Sequence, residues 1–272
     1  MGPPEPEKSE GAGGSLPRLL LAHREDPAAR NICRHLLTLY PFQRWEGAYR
    51  LGEFVLLPTE EDPLTLTSLP LPASEVLVLS RHASASGLPT LSVHAPGKPE
   101  EGRLALAKPE TVGTLLRALQ LAKEEGDLPH RVCLEATHHG PVDLEVPVTF
   151  VEIGSGKEEW TKEAAGKAVA KAVLSPMGRC QRAVGVGGPH YAPRHTEAVL
   201  RTRYWVGHLL PKYVALTGEL LEEAIRKTQG GANLILSDEE GLNSPQKRTV
   251  EETSARMGIP KLTAKQVLAQ KL

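Results

Sequence analysis

Short apolar runs alternate along this chain with longer stretches of helical periodicity, and the two patterns together define its elements. Arg18 to Ala22 reads as a first buried strand, after which Asp26-Pro27 supplies an N-cap and a proline at the first helical position for a helix running to about Leu39. Glu53 to Leu57 and Glu75 to Leu79 are Val- and Leu-rich runs bounded by Pro, Gly and Ser, which predicts strands buried on both faces. From Pro109 to Glu125, with Gly126 as the stop, Val112, Leu115, Leu116, Leu119 and Ala122 recur at helical spacing, so one stripe of that helix is expected to lie on the sheet. Arg131 to Ala136, Pro147 to Ile153 and Arg182 to Val186 read as further strands. Ser155 and Glu158 have the spacing of a capping box, opening a helix on which Trp160, Ala164, Ala168 and Ala172 recur every four residues along one face. Glu219 to Thr228 reads as a helix, Ala232 to Leu236 as a strand, and Pro245 to Met257 and Thr263 to Leu272 as terminal helices.

Strands alternating with helices predict an α/β fold, a three-layer α/β/α sandwich around a mixed, mostly parallel central sheet. Residues 1–15 are dominated by Pro, Glu and Gly and hold too little apolar surface to join a core; they are expected to form a disordered tail ahead of a single α/β domain over residues 16–272. The opening stretch lacks an apolar h-region and no apolar run approaches the ~18 residues that span a bilayer, so a soluble, cytoplasmic protein with no membrane partner is expected.

The net charge of -1 excludes a basic field over the whole molecule, so a nucleic-acid partner would need a local patch. One candidate runs from Arg179 to Lys212, where Arg179, Arg182, Arg194, Arg201, Arg203 and Lys212 face the single acid Glu197. Such a segment could track a phosphate backbone, with Tyr191, Tyr204 and Trp205 stacking on bases; the alternative is an ordinary solvated face. Cys33, Cys133 and Cys180 form no C-x-x-C pair and leave an odd thiol, which points to a reducing compartment and to core or inert roles.

The chemistry concentrates in five short segments that each follow a strand: Ser80–His82, Val93–Gly97, Glu135–Pro141, Glu152–Ser155 and Gly187–Pro193. Loops at the carboxyl ends of strands in an α/β sheet collect in one crevice, so one shared site is expected. His138 and His139 are neighbours, and because adjacent side chains on a strand point oppositely, one of them is expected to enter the site. Glu135 and Glu152 lie at strand ends, where a carboxylate orients an imidazole, acts as general base or binds a metal; a paired surface carboxylate is the alternative. Gly187 and Gly188 allow close backbone approach to a ligand, and the flanking prolines Pro189 and Pro193 fix the turn around His190 and Tyr191. Gly154 and Ser155, opening a capped helix, offer backbone amides to a phosphate or an oxyanion, although a simple N-cap explains them equally well.

Taken together and in this order, S-R-H, V-H-A-P-G, E-A-T-H-H-G-P, E-I-G-S with E-E-W, G-G-P-H-Y-A-P and G-H-L-L-P-K-Y (Gly207 to Tyr213) resemble the D-aminoacyl-tRNA deacylase family of archaea and plants, over about Arg18 to Leu272. Lys98 and Pro189 depart from that pattern without removing a histidine. The resemblance implies hydrolysis of the ester joining a D-amino acid to tRNA, zinc dependence, a monomer, and a fold like those of peptidyl-tRNA hydrolase and purine nucleoside phosphorylase. On this basis one or two Zn2+ ions are expected on His82, His94, His138, Glu152 and His190. The catalytic set is expected to be His138, His139, Glu135, His190 and Tyr191. Gly154, Ser155, Gly187, Gly188 and Arg194 are expected on the substrate. Two other readings use the same residues: a zinc amidohydrolase or peptidase acting on small N-acyl substrates, and a non-catalytic tRNA-binding module with structural histidines.

Overall fold

Leu19, Leu20 and Leu21 are all fully buried, as three consecutive apolar residues can be only in a strand covered on both faces. They belong to β1 (Arg18–His23) in a computed structural model that describes residues 15–270. The tail expected at 1–15 lies, but for Ser15, outside the described residues. In chain order there follow α1 (Pro27–Leu39), β2 (Gln43–Trp45), β3 (Ala48–Leu51), β4 (Phe54–Thr59), β5 (Glu75–Arg81), β6 (Thr90–His94), β7 (Gly97–Lys98), β8 (Arg103–Leu104), α2 (Pro109–Glu125), β9 (Arg131–Leu134) and β10 (Val148–Gly154). The second half comprises α3 (Lys157–Thr161), α4 (Glu163–Val173), β11 (Gln181–Gly187), α5 (Pro193–Arg201), β12 (Tyr204–Leu210), α6 (Gly218–Arg226), β13 (Leu234–Asp238), α7 (Ser244–Met257), β14 (Lys261–Thr263) and α8 (Ala264–Ala269).

The large sheet has the order β2-β3-β4-β1-β5-β10-β6-β9, and a second one the order β12-β11-β13-β14. All pairs in the second sheet are parallel, as are β4-β1, β1-β5, β5-β10 and β6-β9 in the first. The mixed, mostly parallel α/β architecture is therefore the one expected. Within the large sheet β6 runs against β10, with His94 opposite Phe150 and Ser92 opposite Glu152.

The layers differ between the sheets. Across the second, Ala198, Val199 and Val267 of α5 and α8 pack on one face, while Leu220, Leu221 and Val250 of α6 and α7 pack on the other, giving three full layers. The large sheet carries α1, α2 and α4 on one face, but Leu66, Ala73 and Leu144 from connecting segments cover the other. The connection before β5 holds only a single 3-10 turn, Pro63–Thr65, and Pro70 and Pro72 oppose any longer helix, so a loop forms the third layer.

Local signals place most elements well. Asp26 caps α1 by accepting from the Ala28 and Ala29 N–H groups, and α2 occupies the residues its periodicity predicts. The capping box at Ser155 and Glu158 does not form: the Ser155 hydroxyl donates to the Leu88 carbonyl at 2.6 Å and is unavailable for capping. The expected single helix is broken at Lys162, whose backbone is extended, and the apolar stripe restarts one residue later on Ala165, Ala168, Val169 and Ala172, with Ala164 exposed. The exposed hairpin β2-β3, the strand β12 and the helix α5 lie outside the elements that the sequence pattern predicts.

Candidate active site

The reversal of β6 builds the site. On β10, Phe150 and Glu152 point to the same face, the loop-covered one, since strand side chains alternate with period two. Antiparallel pairing sets His94 directly across from Phe150, and parallel pairing sets Ser80 beside Glu152. The His94 ring stacks on Phe150 with centroids 5.1 Å apart. Glu135, immediately after β9, follows β6 in register through its N–H bond to the Val93 carbonyl. The carboxyl ends of β6 and β9 thus arrive on the sheet face from the direction opposite to those of β5 and β10, rather than all strand ends sharing one rim as the sequence led us to expect.

Both His138 and His139 enter, not one of the pair. Strand β9 ends at Leu134, and His139 has φ of 44°, so the alternation rule for strands does not govern them. Their ring centroids lie 4.3 and 4.9 Å from His94. His138 Nδ1 donates to the Ala136 carbonyl at 2.8 Å and His139 Nδ1 to the Gly140 carbonyl at 2.7 Å, so each ring presents the lone pair of Nε2. Burial, together with the charge of His94, pushes His138 down to about 2 and His139 down to about 4, which keeps both neutral at physiological pH.

A second group surrounds Glu135. Its Oε2 accepts from His190 Nε2 at 2.9 Å, and that ring's Nδ1 in turn accepts from the Tyr213 hydroxyl at 3.2 Å. His82 Nδ1 lies 3.3 Å from both Glu135 Oε1 and Glu152 Oε2, while its Nε2 meets the Tyr191 hydroxyl at 2.9 Å. Burial alone would lower His82, but the Glu152 hydrogen bond and the two carboxylate charges carry it up to about 9. Burial would likewise raise Glu152; the neighbouring His82 and His94 rings and the Ser80 hydroxyl, which donates to it at 2.6 Å, outweigh this and hold the carboxyl well below its usual range.

Two buried atoms have no hydrogen-bond partner here, His94 Nε2 and Glu135 Oε1. Three sets of donor atoms lie within 4.8 Å of one another: His94 with His138 and His139; His82 with Glu135 and His190; and His94 with Glu135 and Glu152. Neutral imidazoles oriented through their other nitrogen, next to carboxylates and orphaned donor atoms, fit a divalent metal such as zinc. A cavity of about 430 Å3 opens beside them, walled by His82, His138, His139, Phe150 and Glu152 and by Arg81.

The residues expected on the substrate lie elsewhere or are already engaged. Ser155 is buried on the Leu88 carbonyl, and a Cβ at Gly154 would fall 2.4 Å from Thr90 Oγ1, so these two pack the site from behind. Gly187 and Gly188 have φ of +86° and +79° and turn against Asp238 and Gly241. Arg194 pairs with Glu240 and, at 3.6 Å, with Asp238. None of Gly187, Gly188 and Arg194 lines the cavity. The basic segment is also less free than its local composition indicates, because Arg182 pairs with Glu110 at 2.6 Å and Trp205 is buried, out of reach of a base. The three thiols are unpaired, and burial pushes each up to about 12, consistent with the inert role expected of them.

Sequence reasoning gives no role to His208, which is fully buried behind the site. Burial lowers it to about 4, so the neutral ring donates from Nε2 to the Ala105 carbonyl at 2.9 Å and accepts from the Thr137 hydroxyl at Nδ1, 3.2 Å away. Thr137 Oγ1 accepts the Leu209 N–H at 3.0 Å, so β12 clamps the turn that carries His138 and His139. The available signal is the G-H-L-L-P-K-Y run, which supplies both His208 and Tyr213.

Buried imidazoles and carboxylates converging on a cavity in a mixed α/β fold define a hydrolytic enzyme. A family model described as D-aminoacyl-tRNA deacylase matches residues 70–262. The D-aminoacyl-tRNA deacylase of Aeropyrum pernix is 41% identical over 207 residues, 68% of this chain and 74% of that protein. The one from Archaeoglobus fulgidus is 33% identical over 92% of this chain and 97% of its own length. A solved crystal structure, described as that of a conserved protein of unknown function, superposes with a TM-score of 0.84 at 32% identity, over 93% of this chain and 96% of that one. The chain belongs to the D-aminoacyl-tRNA deacylase family.

Proposed function

We propose that this protein hydrolyses the ester bond of D-aminoacyl-tRNA, releasing the free D-amino acid and the tRNA. Family membership supports the reaction and its substrate. The observation that carries the assignment to this site is the meeting of the His94, His138 and His139 donor atoms beside Glu135, whose buried Oε1 makes no hydrogen bond. Zinc is the cofactor we assign, and His94, His138 and His139 would hold it, with the Glu152 carboxylate close to His94. When bound, zinc polarises the ester carbonyl and lowers the pKa of a water to roughly 7.

The chain's own groups do the rest. Glu135 Oε1 takes a proton from the attacking water, whose oxygen bonds to the acyl carbon as the ester C–O bond breaks. His190, between Glu135 Oε2 and the Tyr213 hydroxyl, gives a route by which a proton reaches the departing ribose oxygen. His82, joined to Glu135, Glu152 and Tyr191, holds both carboxylates in place.

Among the described residues no helix is long and apolar enough to cross a membrane. We take the enzyme to act in the cytoplasm and as a monomer. Matched D- and L-aminoacyl-tRNA, each assayed with and without a chelator, test the reading: release of the D-amino acid alone, and its loss on chelation, are expected. Equal turnover of both enantiomers would overturn it. A small N-acyl substrate, the rival reading, would show no rise of KM with salt, whereas tRNA binding weakens through counterion release.

A further inference from the structure

Among the described residues Arg81 is the only lysine or arginine lining the cavity beside the histidines, and it directly precedes His82 in the chain. Its guanidinium lies over the Trp160 ring, 5.3 Å from the centroid. Trp160 is itself fixed, because its indole N–H donates to the His82 carbonyl at 2.9 Å. The Arg81 backbone is fixed too, its N–H donating to Asp26 Oδ2 at 3.0 Å. Among the described residues no carboxylate lies within the 4.0 Å of an ion pair with this guanidinium. Stacking on an aromatic face orients a guanidinium without using its N–H donors, which an ion pair would consume.

The remaining charged walls of the cavity include Glu25, Asp26, Asp62 and Glu152. Asp26 already accepts three backbone N–H groups, from Ala28, Ala29 and Arg81. Carboxylates on this scale repel an anion, and among the described lining residues Arg81 offers a phosphate a permanently charged fork whose geometry matches two of its oxygens.

We propose that Arg81, backed by Trp160, binds a phosphate at the acceptor end of the D-aminoacyl-tRNA and so sets the ester against the histidines. This rests on D-aminoacyl-tRNA being the substrate. Because the ester is carried by the terminal ribose, the phosphate joining that ribose to the preceding nucleotide is the nearest anion to the reacting carbon.

The test is steady-state kinetics of the full chain and of its Arg81→Gln and Arg81→Lys variants on D-aminoacyl-tRNA and on the matching D-aminoacyl-adenosine, which keeps ester and base but has no phosphate. Arg81→Gln should raise KM for the tRNA roughly tenfold or more, as expected for a lost charge-assisted contact, with kcat within about twofold. It should also reduce the salt slope of log KM by about one. Arg81→Lys should recover part of the loss, and D-aminoacyl-adenosine should be turned over equally by all three proteins. An equal loss on both substrates would overturn the proposal, since Arg81 would then serve the base or the site's structure, and so would an unchanged KM and salt slope for the tRNA. Failure of the wild-type chain on both substrates would instead overturn the functional reading.

Discussion

His190 Nε2 lies 2.9 Å from Glu135 Oε2, and this one contact joins the turn after β11 in the small sheet to the end of β9 in the large one. The backbone reinforces it, since the Ala136 N–H donates to the His190 carbonyl at 2.7 Å and the Thr137 N–H to the Leu209 carbonyl at 2.8 Å. The donor set is therefore assembled from both sheets and depends on their seam.

Glu135→Gln keeps the shape of the side chain and removes its charge. We expect deacylation in single-turnover assays to fall by roughly 10²- to 10⁴-fold, the usual contribution of a positioned general base. A circular dichroism spectrum like that of the wild type would show that the fold persists, and near-normal turnover would remove Glu135 from the chemistry.

Dialysis against a chelator should abolish activity and added zinc should restore it. His138→Ala should leave less zinc on the purified protein, measured by elemental analysis, because one of three imidazole donors is gone. Full activity after chelation, with no bound zinc, would exclude the metal from the mechanism.

Thr137→Val preserves volume but leaves His208 Nδ1 and the Leu209 N–H without partners in a buried position. The cost should be about 1–3 kcal/mol per unpaired group, read as a lower denaturation midpoint, with Thr137→Ser close to wild type. An unchanged midpoint for the valine variant would mean that the clamp contributes nothing.

Two nearby glycines should respond differently to alanine. At Gly154 a Cβ would meet Thr90 Oγ1 at 2.4 Å and His82 Cβ at 3.0 Å, whereas nothing lies within 4 Å of one at Gly156. Gly154→Ala is expected to cost about 1–3 kcal/mol of stability through overpacking and to depress activity by displacing His82. Gly156→Ala should be near neutral, and equal effects in thermal melts and activity assays would refute the packing argument.

Signals that act over a few residues were legible. Asp26-Pro27 opens α1 and the stripe from Val112 to Ala122 marks α2, because capping and periodicity are settled within a turn or two of chain. Features that depend on a distant partner were not. Ser155 reads as a helix cap but its hydroxyl is taken by Leu88, 67 residues away in the chain. The charge between Arg179 and Lys212 looks unbalanced until Glu110 and Glu240 arrive from other elements.

By itself the amino-acid order determined which imidazoles and carboxylates are available, and that they sit at or just beyond the ends of buried strands, since burial periodicity is written along the chain. Only the tertiary structure decided that β6 runs against β10, that His138 and His139 share one site, and that His190 reaches Glu135 across two sheets. The physical reason is that strand pairing is selected by the burial and hydrogen bonding of whole faces, which residues separated by tens of positions complete together.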